Sequence, residues 1–117
     1  MERPLVGSVV VVEFPYSGFE GAKKRPALCI GYSGTKDIIL CQITSQDYHH
    51  EDTVVEVISG DFSRGRLPVD RSFIRPDKIF TFETEKVLRI AGKLHQVTVR
   101  KVGDRLRKIF EDVLEKP

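Results

Sequence analysis

The sequence predicts a mainly β protein: a small, strongly bent antiparallel barrel capped by one C-terminal helix. Three observations carry that expectation. Short β-branched and apolar runs recur along most of the chain, glycine and proline turn chemistry separates them at close intervals, and no β-helix-β alternation intervenes. Only the last stretch changes period, to apolar residues spaced for a helix. At 117 residues the chain fits a single domain over 1–117, long enough to bury a real core and too short for two ordinary ones.

The elements follow in order. GSVVVVEF (7–14) is β-branched and short, and PYSGFEGAKK then supplies turn residues. RPALCIG (25–31) resumes as a strand. Proline has no amide hydrogen and drives the residue before it towards extended geometry, so Arg25 is expected at a strand entrance with its side chain held outward. KDIILCQITS (36–45) follows the turn signal YSGT, and TVVEVI (53–58) follows a polar loop with His49 and His50. GDFSRGRLP (60–68) reads as a glycine-containing basic loop, SFIRPDKIFTF (72–82) as a strand broken at Pro76, and VLRIAGKL (87–94) as a short final strand. From Val99 and Val102 through Leu106 to Val113 and Leu114 the spacing is helical, with Thr98 as the expected N-cap. Gly103 weakens that helix by about 1 kcal/mol.

Composition narrows the function. A hydrophobic fraction of 40% and a charged fraction of 31% are those of a soluble globular protein. No apolar run approaches the roughly 18 residues of a membrane span. The opening MERPLVGSVV has no visible secretory signal, so the cytoplasm is the expected location. Cys29 and Cys41 each sit inside an apolar run, which fits buried, reduced thiols better than a disulfide or a metal cluster. Neither a GxxxxGK[ST] loop, a zinc-type CxxC spacing nor a GxSxG elbow occurs, so no nucleotide or metal cofactor is expected. His49 and His50, followed by Glu51 and Asp52, hint at a metal site, but a solvated loop fits better because adjacent extended residues point to opposite faces.

The net charge of +2 is small, and its distribution is uneven. Between residues 47 and 61 all charges are acidic, whereas from 86 to 108 Asp104 stands alone among lysines and arginines. With Lys23, Lys24 and Arg25, such clusters suit a polyanion, or they are merely solvated faces. Arg25 has the same two readings. Its planar fork matches two oxygens of a phosphate, or its stem covers apolar surface at a strand edge.

Three ordered stretches, GSVVVVEFP, KKRPALCIG and RLPVDRSFIRPDKIFTFE, together with Gln42-Ile43-Thr44-Ser45, give the chain a resemblance to the MazF/PemK toxins of bacterial toxin-antitoxin modules. The resemblance runs almost end to end. Two positions depart from the family pattern: Gln42 stands where a proline is usual, and Ser8 where an aspartate is. The resemblance implies an SH3-like barrel of the MazF/PemK/CcdB type and a metal-independent, sequence-specific endoribonuclease acting on single-stranded RNA. It also implies a homodimer neutralised by a cognate antitoxin.

By motif position it assigns catalysis to Arg25 and Thr44, with Glu20 as the loop carboxylate that some members use. Lys23, Lys24, Ser45, Gln46, Arg64 and Arg66 are the candidate substrate-binding residues beside them. In such a reaction Arg25 stabilises charge on the phosphate, Thr44 positions, and Glu20, His49 or His50 accepts a proton. Without the resemblance, Thr44 and Ser45 read equally as a strand end starting a turn. The competing function is a noncatalytic small barrel that binds nucleic acid or a protein partner, since fold alone does not fix activity. Topoisomerase poisoning by a toxin of similar fold is a variant of it. The presence of both Arg25 and Thr44 argues against that variant.

Overall fold

In the computed structural model, residues 2–15, 22–46 and 52–115 are described. The strands are β1 (Ser8–Pro15), β2 (Ala22–Ser33), β3 (Asp37–Thr44), β4 (Val55–Ile58), β5 (Phe62–Gly65), β6 (Arg71–Glu83) and β7 (Arg89–Leu94). Helices α1 (Gln96–Ile109) and α2 (Glu111–Glu115) close the chain. All strand pairs are antiparallel, in the order β4-β6-β3-β2-β1-β7-β5. The two end strands, β4 and β5, are joined by the single 3-10 turn Ser59–Asp61, so the sheet curls into a nearly closed barrel.

Both faces of the central strands are buried, which is why β1 reads as an unbroken valine run instead of alternating. Val9, Leu28, Cys41, Ile43 and Ile74 form one cluster, against which α1 lays Val102, with Val99 and Leu106 at its edge. Val10, Val12, Ala27, Cys29, Ile38 and Leu40 form the other. Phe14, Phe80 and Phe82 border that second cluster edge to face, with ring centroids 4.5 to 5.7 Å apart.

Four expectations need correction. The stretch expected as a basic loop contains strand β5. Gly65 adopts φ +71 and pairs with Gly92 of β7, where a Cβ on Gly65 would run into the Ala91 carbonyl oxygen; a glycine pair lets the two backbones close up. Pro76 does not break its strand, because the ladder jumps from Gln42↔Arg75 to Cys41↔Ile79 and leaves Pro76, Asp77 and Lys78 in a bulge that needs no proline amide. The helix starts earlier than expected: His95 is the N-cap, and Thr98 lies buried in the first turn with its hydroxyl donating to Asp61 Oδ1 at 3.4 Å. The same Asp61 accepts from the Ile58 amide through Oδ2 and from the His95 amide through its carbonyl, tying the 3-10 turn to the helix start. Finally, the helical stripe is interrupted at Phe110, and its last members, Val113 (80% exposed) and Leu114 (60%), are not covered within one chain.

Candidate nucleic-acid interface

Arg25 is not at a strand entrance. β2 begins at Ala22 and already pairs with β1 there, so Arg25 sits inside the strand opposite Val12, with Pro26 opposite Val11. The consequence of the proline lies on the other side. The β2–β3 ladder ends at Ala27↔Gln42, whereas β3 runs on to Thr44 along β6. A residue without an amide hydrogen is tolerated in a central strand where its neighbour has parted from it. Arg25 and Thr44 each stand two positions beyond that last pair, flanking the gap.

The gap is a cavity of about 430 Å³. Arg25 and Lys24 line it from β2, Thr44 and Ser45 from the end of β3, Ser72 from β6 and Arg89 from β7. Its apolar lining comes from Leu67, Pro68 and Val69 together with Val11, Pro26 and Ile43. Among the described residues the lining carries three cations, Lys24, Arg25 and Arg89, and no carboxylate.

Thr44 is 8% exposed, and its Oγ1 accepts the Gln46 amide at 3.1 Å. The turn reading of this residue therefore holds, but it does not displace the other. Accepting a bond through oxygen leaves the hydroxyl hydrogen to donate into the cavity. Ser45 is exposed beside it.

The structure thus brings together four of the expected residues: Lys24, Arg25, Thr44 and Ser45. Lys23, Gln46, Arg64 and Arg66 do not line the cavity, although Arg66 directly precedes its Leu67 wall. Glu20, His49 and His50 lie outside the described residues. Sequence reasoning missed Arg89, Ser72 and the apolar wall. The signal for Arg89 was only its place in the basic C-terminal stretch, and the face it takes depends on a register that shifts at Val9/Val10.

Both cysteines are free and buried. Burial raises the Cys29 thiol, with a Gly31 backbone bond and the Arg3 charge opposing. Burial, helped by the Asp77 charge, pushes Cys41 up to about 12. Neither thiol is a nucleophile near neutral pH.

Barrel and cavity together define a small β-barrel protein with a cationic, hydroxyl-bearing cleft. The chain belongs to the family of PemK-like, MazF-like toxins of type II toxin-antitoxin systems, whose sequence profile matches residues 5–110. None of the curated proteins matches it. Among solved structures it is similar to an endoribonuclease in complex with its cognate antitoxin from a mycobacterial species, at 21% identity and TM-score 0.73, covering 97% of this chain and 99% of that one. It is also similar to a MazE-MazF structure from Deinococcus radiodurans (17% identity, TM-score 0.70, 92% and 96% covered). A third likeness is to the Mycobacterium tuberculosis toxin MazF-mt6 (15% identity, TM-score 0.65, 89% and 96% covered). At these identities the structural likeness speaks for the fold.

Proposed function

We propose that this chain is an endoribonuclease toxin that cleaves single-stranded RNA at specific sites without a metal ion. The observation that carries the reading is the meeting of Arg25 and Thr44, from two strands that part at Pro26, in one cavity whose charged lining residues, among those described, are Lys24, Arg25 and Arg89. Family membership supports it, as does the likeness to chains described as endoribonucleases.

The chemistry follows from what these groups can do. The ribose 2′-oxygen forms a bond to the adjacent phosphorus, and the bond from phosphorus to the 5′-oxygen breaks. Negative charge builds on the nonbridging oxygens between these events. Arg25 offers paired N–H donors to them, a contribution of about 3 to 4 kcal/mol by analogy with a single oxyanion donor. In this reading Arg25 stabilises charge and is not the acid. Thr44 donates its hydroxyl hydrogen to a phosphate oxygen or orients the attacking 2′-hydroxyl, while Ser45 and Lys24 hold the neighbouring backbone. The 2′-hydroxyl proton passes to a general base, for which Glu20 is the candidate, and the leaving 5′-oxygen takes a proton from solvent.

In this reading the chain works as a homodimer in the cytoplasm. A cognate antitoxin restrains it, as the complexes of its structural neighbours suggest. The test is cleavage of single-stranded RNA by the purified chain with excess chelator present. Products ending in a 2′,3′-cyclic phosphate and a 5′-hydroxyl are expected. Absence of cleavage, or a requirement for added Mg²⁺, rejects the proposal in favour of a noncatalytic barrel or a different mechanism.

A further inference from the structure

We infer that Arg89 anchors a second backbone phosphate, one nucleotide along from the phosphate held at Arg25, and that the apolar strip between them seats the sugar or base joining the two. This rests on the endoribonuclease reading and deepens it.

Strand register carries the argument. β7 pairs with β1 so that Arg89 lies opposite Val11, and β1 pairs with β2 so that Val11 lies opposite Pro26. The three form one cross-strand row, and all three line the cavity. Strands are spaced by about 4.8 Å, so the backbone of Arg89 stands about 10 Å from the Arg25-Pro26 step, with Val11 between them. Leu67 and Pro68 line the same cavity and add to its apolar surface.

The cavity therefore presents cation, apolar strip, cation in sequence. Arg25 and Arg89 place two guanidinium groups on one cavity, which favours a ligand carrying anionic charges at a matching interval. A polynucleotide carries the matching pattern: charged phosphates at regular intervals, separated by groups with apolar faces. Arginine suits this position because its fork takes two phosphate oxygens at once, where lysine supplies a point charge.

Binding of a single-stranded RNA is to be measured against salt concentration in an Arg25→Ala background, which keeps the RNA intact. Adding Arg89→Ala should weaken binding about tenfold, the loss of one charged hydrogen-bonding contact. It should also lower the slope of log affinity against log salt by about 0.7, the loss of one single-strand phosphate contact. Arg89→Lys should restore the slope and only part of the affinity. Arg100→Ala, on the outer face of α1, serves as the control and should leave the slope unchanged. An unaltered slope and affinity in Arg89→Ala overturns the inference, as does an equal loss in Arg100→Ala, which would mean that only the general field matters. Because the readout is binding, it separates from the nuclease reading: a chain that cuts nothing yet shows the Arg89 slope change loses the reading and keeps the phosphate anchor.

Discussion

Two regions of this molecule are rich in positive charge, and they are built differently. On α1, Arg100, Lys101, Arg105, Arg107 and Lys108 are all exposed, with Asp104 and then Glu111 of α2 at three- and four-residue spacings from Arg107 and Lys108. Opposite signs at such spacings on an exposed surface pair weakly with one another and are screened by salt. In the cavity between β2, β3 and β7 the cations are fewer, but no described acid accompanies them and hydroxyls stand beside them. The comparison teaches that the number of basic residues in a stretch does not locate a site. A concave wall of one sign does.

The most severe way to break the comparison is Arg25→Ala. Removing the charge-stabilising fork should lower the cleavage rate by about 10² to 10³, with RNA affinity falling far less. Parallel losses in rate and affinity would demote Arg25 to a binding residue. Thr44→Val keeps the shape of a side chain only 8% exposed and deletes its hydroxyl. A rate loss of about tenfold at unchanged melting temperature is expected, and wild-type turnover would return Thr44 to its turn role alone.

A third test concerns the barrel core. Cys41 pairs with Leu28 deep in the core, and its thiol is pushed from 9.0 up to about 12. The unfolded chain releases that proton from about pH 9, while the folded chain holds it until about 12. The thiol's contribution is therefore complete below pH 9 and lost as the pH climbs towards 12. Denaturant titrations should give a decline across that window that is shallower in Cys41→Ala, and equal slopes in the two proteins would contradict it. The smallest effect belongs to the helix. A double Arg100→Ala, Lys101→Ala variant should cleave within about twofold of wild type at physiological salt, where exposed charges are screened. A loss comparable to Arg25→Ala would make α1 part of the site.

Much of this was legible in the chain. The valine run of β1, the RPALCIG run and the helical stripe around Val102 marked an antiparallel barrel with a terminal helix, because β-branching and apolar period are local properties. Arg25 and Thr44 stood out through their motifs, RPAL and ITS, and both line one cavity. Strand β5 was missed because its existence depends on Gly65 meeting Gly92, a contact between distant segments. Pro76 misled because a bulge removes the cost that proline imposes on a regular ladder.

By itself, then, the sequence determined the repertoire: strands, one amphipathic helix, buried thiols, and an arginine and a threonine fit for phosphate. Tertiary structure alone decided that β2 and β3 part beyond the Ala27–Gln42 pair, that Arg89 lines the opening from β7, and that the helix cations look outward. The physical reason is that periodicity and propensity act over a few residues, whereas the sign and shape of a cleft are set by register between strands far apart along the chain.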